Sequence, residues 1–226
     1  MPRKARVIIP DCPHHVTQRG NHSEQVFFSD QDRQRYLMFL TEQCEKYAVL
    51  LQGYCLMSNH VHLILTPTTP EGLSRAVGRT NLYYTQYRNR QTGRGGHLWQ
   101  NRFFSCPMDQ LHFFRAMRYV ERNPVRAKLV QQAWQWPWSS AVAHIQETCP
   151  FELLNLSQWH EAGPSGENWK EQLEVVATAE EIDSIRRSLK TGQPLGTDEF
   201  IRTLENRVGR PLRVQSIGRP KREKKE

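Results

Sequence analysis

The stretch Cys55-Leu56-Met57-Ser58-Asn59-His60-Val61-His62-Leu63-Ile64-Leu65 reads as the turn and second arm of a β-hairpin. Ser58-Asn59 separates two apolar-rich runs, Ala48–Met57 and His60–Thr66, as a turn pair between strands does. In a strand, residues i and i+2 share a face and stand roughly 7 Å apart. His60 and His62 therefore look one way, and Val61 and Leu63 the other. Two imidazoles on one face of a buried strand are costly unless each finds a partner. A metal ion is the usual partner for such a pair.

Working outward, Val7 to Gly20 is extended chain interrupted by Pro10 and Pro13. Ser29-Asp30-Gln31-Asp32 is a helix start, after which Tyr36, Leu40, Cys44 and Tyr47 recur at helical spacing. A second helix is expected from about Pro70 to Arg90, with Leu73, Val77, Leu82 and Tyr84 on its apolar side. A Gly-rich loop at 91–96 precedes extended chain from Leu98 to Cys106. Asp109 caps a third helix that should end or bend at Asn123-Pro124, because a following proline disfavours α geometry. Strand, helix, two strands, helix, strand, helix is an α+β order, which predicts a mostly antiparallel sheet with helices packed on it.

Composition bounds the rest. The 226 residues are 38% hydrophobic with six tryptophans, so a packed core is feasible. No apolar run approaches the roughly 20 residues of a membrane span, and Val7-Ile8-Ile9 is too short for a signal-peptide apolar region. Cys12, Cys44, Cys55, Cys106 and Cys149 are scattered, with no CxxC pair. That suits reduced thiols in a cytoplasm.

Net charge is +8, unevenly spread. Residues 1–149 carry a net +8, residues 150–206 a net −6, and residues 207–226 a net +6. A basic body, an acidic segment and a basic tail suggest contact with a polyanion such as nucleic acid. A solvated, charged surface is the plainer reading. Three segments follow: a domain over 1–145, a mostly helical acidic extension over 146–206 with helices near 178–190 and 197–208, and a basic, disordered tail over 207–226.

The third helix contains Arg118-Tyr119-Val120-Glu121-Arg122-Asn123-Pro124. Tyr119 and Asn123 are four apart and so share a helical face. If that face packs over the histidine strand, two imidazoles, an amide oxygen and a phenol converge. A divalent metal held this way keeps open positions for phosphate oxygens. The tyrosine oxygen could then attack phosphorus in line, leaving a covalent phosphotyrosine and a free 3′-OH. Such a link retains the phosphodiester's energy, which is the logic of strand transfer rather than hydrolysis.

These phrases resemble the IS200-like HUH single-tyrosine transposases, and among them the REP-associated tyrosine transposases. The matching stretches are HHVTQRGN (14–21), YCLMSNHVHLILTP (54–67), LWQNRFFS (98–105), RYVERNPVRAKLV (118–130) and WSSA (138–141). The resemblance spans about residues 5–145, with several motifs in order. PLGTDEFIRTLENRVGRPLR and IGRPK resemble the C-terminal extension of some REP-associated members, less diagnostically.

The resemblance implies a ferredoxin-like sheet, with His60 and His62 as metal ligands, Tyr119 as nucleophile and Asn123 as third ligand. It implies Mg²⁺ or Mn²⁺ as cofactor and single-stranded DNA with a hairpin, of REP-palindrome type, as partner. It also implies a bacterial cytoplasmic protein, at the nucleoid when DNA-bound, and a monomer acting in cis, with a dimer left open. Arg19, Arg102, Arg118, Arg122, Arg126 and Arg219 are candidate DNA contacts. Tyr83, Tyr84 and Tyr87 read as a packing or stacking face, Tyr54 as core, and Trp134, Trp136 and Trp138 as closing one end of the core. Two other functions stay open: a non-cleaving regulator bound to the same palindromes, and a metal-dependent phosphodiester hydrolase that leaves no DNA adduct.

Overall fold

Alternation along the histidine strand sets the architecture. The structure is a computed structural model that describes residues 6–93, 95–147 and 154–213. Its first part runs β1 (His14–Arg19), α1 (Asp30–Lys46), β2 (Val49–Leu56), β3 (His60–Pro67), α2 (Gly72–Thr92), β4 (Phe104–Pro107) and α3 (Gln110–Glu121). The four strands form one antiparallel sheet in the order β2-β3-β1-β4. This βαββαβ path is the ferredoxin-like arrangement, and the fold is α+β as the element order predicts.

Each element has a local cause. Ser29 and Asp32 close a reciprocal capping box at the start of α1. The other carboxylate oxygen of Asp32 accepts from Arg88 Nη1 at 2.9 Å, which ties α1 to α2. In the β2–β3 hairpin, Met57 N donates to His60 O at 2.9 Å across the Ser58-Asn59 turn. Val16, Val61, Leu63 and Leu65 are fully buried on one side of the sheet. On the opposite side, Gly53 faces Ile64 in register, and a Cβ built there would stand 2.3 Å from Met117 Sδ of α3. The missing side chain lets α3 lie close against the sheet.

The chain from Leu98 onward is less regular than expected. Only Phe104–Pro107 pairs as a strand. The preceding residues run beside the end of β1 as a loop, with Gln100 N donating to Arg19 O at 2.8 Å. The expected break after α3 is present. Arg122 adopts φ −80° and ψ 0°, and a short α4 (Asn123–Arg126) follows with Pro124 in its first turn, where its absent N–H does no harm.

Beyond that point lie α5 (Ala141–Gln146), α6 (Ser157–Ala162), α7 (Gly166–Glu174), α8 (Ala179–Thr191) and α9 (Asp198–Val208). The last two match the helices read from sequence. The first three are too short to show a periodicity. Trp159, Trp169, Leu173, Ile185 and Leu189 from this part join the same hydrophobic core as the sheet. Leu195 N donates to Pro107 O at 2.8 Å beside the edge strand. Leu204 and Leu212 pack with Val7, Ile9 and Cys12 in a second cluster. Among the described residues no helix is long and apolar enough to cross a membrane. Cys12, Cys44, Cys55 and Cys106 are buried and free. Cys149 and the expected tail from 214 lie outside the described residues, while 207–213 finish and follow α9.

Candidate active site

The histidine face of β3 is built by register. Arg19 stands opposite His60, and Thr17 and Cys55 flank His62 from the two neighbouring strands. His60 is partly exposed and His62 is buried. The Nδ1 of each ring is already bonded. His60 Nδ1 lies 2.6 Å from Asn59 Oδ1, and His62 Nδ1 lies 2.9 Å from His15 Nε2. This leaves Nε2 of each ring as the outward nitrogen. The ring centroids stand 5.2 Å apart at 85°.

Tyr119 and Asn123 reach this face from the end of α3 and the start of α4. The Tyr119 ring meets His62 edge-on, with centroids 5.7 Å apart. Asn123 Nδ2 stands 3.4 Å from His60 Nε2. Both side chains are buried. The structure thus brings His60, His62, Tyr119 and Asn123 to one point, within a single chain.

Electrostatics keep the imidazoles neutral. Burial, followed by the charges of Arg19 and Arg126, pushes His60 down to about 4. Burial and the neighbouring His15 and His60 hold His62 well below the ordinary imidazole range. Neutral rings keep the lone pair that a metal needs. Among the described residues no group of three His, Cys, Asp or Glu forms a ligand cluster. The donor set is two imidazoles and a side-chain amide. This set fits a divalent cation with open positions once the amide turns its oxygen toward His60, a half-rotation about the terminal torsion.

Of the six arginines, two stand at this site. Arg126 folds back so that its guanidinium lies 4.0 Å from the Tyr119 ring centroid. Arg19 is exposed beside His60. Arg118 and Arg122 turn away, toward the C-terminal helices. Arg118 Nη2 pairs with Glu181 at 3.1 Å, and Arg122 donates to the Leu173 carbonyl. Arg102 lies on the other side of β1, in a cleft of about 340 Å³ lined by Arg6, Gln18, Asn81 and Trp99 among others. Arg219 falls outside the described residues.

The aromatic assignments divide cleanly. Tyr84 is fully buried and donates to Val26 O at 2.7 Å, while Tyr83 and Tyr87 are half-buried against Phe39 and Arg35. Tyr54 is core. Trp136 Nε1 donates to Leu56 O and Trp138 Nε1 to Asp30 Oδ1, closing the end of the sheet beside the hairpin.

Two supporting side chains were not singled out from the sequence. His15 touches both His62 and Tyr119. Glu121, fully buried on α3, accepts from Ser140 Oγ at 2.5 Å, His144 Nδ1 at 2.6 Å and Trp169 Nε1 at 2.8 Å. Both lie inside stretches quoted above, HHVTQRGN and RYVERNPVRAKLV, but their contacts are long-range.

The family model described as "Transposase IS200 like" matches residues 9–123, and the chain belongs to that family. Among solved structures it is similar to a REP-associated tyrosine transposase bound to a REP hairpin. The two share 16% identity and a TM-score of 0.56, over 70% of this chain and 96% of that one, which is a likeness of fold. A Deinococcus radiodurans R1 protein assigned by name to the transposases shows 19% identity and a TM-score of 0.38, over 54% of this chain and 97% of that one. No curated protein matches.

Proposed function

We propose that this protein is a metal-dependent single-strand DNA endonuclease and strand transferase that acts on hairpin-forming repetitive palindromes through Tyr119. The observation that carries the reading is the meeting of His60, His62, Asn123 and Tyr119. Family membership and the hairpin held by the solved relative of similar fold support it.

Tyr119 Oη forms the new bond to phosphorus, and the bond from phosphorus to the 3′ oxygen breaks. The phenolic proton leaves, the 3′ oxygen takes up a proton, and the 5′ phosphate remains on the tyrosine. Reversal onto another 3′-OH rejoins the strand, because the phosphotyrosine ester retains the energy of the bond it replaced. His60 Nε2, His62 Nε2 and the Asn123 amide oxygen would hold Mg²⁺ or Mn²⁺, which when bound polarises the scissile phosphate. Arg126 stacks on the tyrosine ring, and Arg19 adds positive charge at the rim. Arg102, in its own cleft, would meet a different part of the DNA. The resemblance to REP-associated members supports a monomer acting in cis, and the oligomeric state in solution tests that part of the reading.

The test is a denaturing gel of protein with end-labelled, hairpin-bearing single strands, in Mg²⁺ or Mn²⁺ and in EDTA. A metal-dependent adduct that survives denaturation and is absent from Tyr119→Phe is expected. Cleavage without an adduct, surviving in Tyr119→Phe, would make the protein a hydrolase. Binding with neither product would make it a regulator.

A further inference from the structure

Two adjacent histidines open β1, and they are treated differently. His14 is a structural histidine with both nitrogens satisfied. Its Nδ1 lies 2.7 Å from Cys12 O, and its Nε2 accepts from Ile9 N at 3.2 Å. His15 is just as buried, yet its Nδ1 has no partner among the described residues. Among the described residues the one polar contact of its side chain is Nε2 to His62 Nδ1, at 2.9 Å. A buried polar nitrogen left unpaired costs about 1–3 kcal/mol. A core position has no use for an imidazole on those terms, since an apolar ring of similar size would avoid the penalty.

We infer that His15 is a positioning residue for the metal centre: its Nε2 accepts the Nδ1 proton of His62 and thereby fixes His62 in the tautomer whose Nε2 lone pair faces the site. The inference rests on the active-site reading above. A neutral imidazole carries one proton, so only one of its two nitrogens can ligate. When Nδ1–H of His62 donates to His15 Nε2, the lone pair of His62 falls on Nε2. His15 then keeps its own proton on the unpartnered Nδ1. The opposite arrangement, with His15 Nε2–H donating, would place the His62 proton where a ligand is needed. Partners of this kind set ring orientation and basicity in metal sites generally. His60 has its counterpart in Asn59, whose Oδ1 is bonded to His60 Nδ1.

His15 also walls the nucleophile, since its ring meets Tyr119 at 64° with centroids 5.8 Å apart. One side chain therefore supports a proposed ligand and the tyrosine together.

The experiment measures Mn²⁺ affinity, by calorimetry or by the paramagnetic resonance of free Mn²⁺, for wild type, His15→Gln and His15→Phe. Circular dichroism confirms folding of each, and ring-nitrogen NMR reports the His62 tautomer in the Mg²⁺-loaded wild type. His15→Phe, which keeps a planar ring without an acceptor, should bind Mn²⁺ about 10–100-fold more weakly. His15→Gln, whose amide oxygen can accept the His62 proton, should recover most of that loss. The wild-type spectrum should show the proton on His62 Nδ1. Wild-type affinity in both variants, or a His62 proton on Nε2 in the Mg²⁺ state, would overturn the inference while leaving the active site standing. A wild type that binds no more Mn²⁺ than His62→Ala would remove the metal centre itself, and the role of His15 with it. Should His15→Phe fail to fold, the wild-type tautomer decides alone.

Discussion

The guanidinium of Arg126 lies 4.0 Å from the centroid of the Tyr119 ring, and its Nη1 donates to the Tyr119 carbonyl at 3.1 Å. The side chain thus reaches back across the joint between α3 and α4 and holds the proposed nucleophile by both its ring and its backbone. A stacked cation is worth about 0.5–2 kcal/mol, but its larger effect here is on orientation. A misplacement of about 1 Å can cost two orders of magnitude in rate. Arg126→Ala is expected to slow formation of the DNA adduct by about 10–100-fold while the protein stays folded. Arg126→Lys should fall between, because lysine keeps the charge and loses the planar stack. Single-turnover gels read both, and an unchanged rate in Arg126→Ala would reduce the contact to packing.

Glu121 follows Tyr119 by two residues and faces the opposite way, into a pocket made by Ser140, His144 and Trp169. Three donors on one fully buried carboxylate anchor the tyrosine helix to α5 and α7. Glu121→Ala would leave His144 Nδ1 and Trp169 Nε1 without their acceptor and Ser140 Oγ with only the Tyr54 carbonyl, at 3.3 Å, so a loss of about 3 kcal/mol or more is expected. Urea denaturation measures it. Trp169→Ala should cost about 3–5 kcal/mol, since the indole is wholly buried. A chain ended near residue 146 would lose the same support, so that truncation should unfold more readily than full-length protein. Equal midpoints would show that α3 stands without the later helices.

What could be read from the sequence was what is local. The alternation of His60, Val61 and His62, the turn at Ser58-Asn59, the Asp109 cap and the break before Pro124 are all set by neighbours a few residues away. The meeting of His62 with His15 depends on the register between β1 and β3, which no local pattern encodes. By sequence Arg118 and Arg122 are candidate DNA contacts, as Arg126 is. In the fold they go instead to Glu181 and to the Leu173 carbonyl, partners 63 and 51 residues away. The extension looked separable because its charge changes sign at about residue 150. Its tryptophans nevertheless complete the core, and a charge count cannot reveal that. Helices of six residues, such as α5 and α6, are shorter than two turns and leave no periodicity to detect.

Gly20, in the motif HHVTQRGN, has an ordinary φ of −59°, so its glycine is not required by backbone conformation. Space requires it. A Cβ there would stand 2.2 Å from Glu24 O and 2.7 Å from Val26 Cγ1. The backbone at this point also carries Gly20 N to Asn59 O, at 2.8 Å, directly beside His60. Gly20→Ala must therefore displace backbone, at a cost of about 1–3 kcal/mol, and shift the turn that orients Asn59. Lowered thermal stability together with slower adduct formation is expected. Alanine at wild-type stability would mean that the 21–26 loop yields freely.

Acid should destabilise the fold earlier than its carboxylates require. His14 is wholly buried, donates from Nδ1 to Cys12 O and accepts at Nε2 from Ile9 N. A second ring proton would point at that N–H, and burial lowers its pKa from 6.5 to about 4. Because the folded value lies below the unfolded one, the unfolded chain binds the proton first. The stability linked to His14 is therefore complete above about pH 6.5 and is lost as pH falls toward 4. The loss runs at about 1.4 kcal/mol per pH unit, or roughly 3 kcal/mol in all. His15, pushed down to about 3, acts with the same sign. Urea midpoints taken between pH 7.5 and 4.5 should fall steeply below pH 6.5, and His14→Gln should flatten the slope by up to one proton. A slope unchanged in that variant would place the acid sensitivity at the other buried histidines.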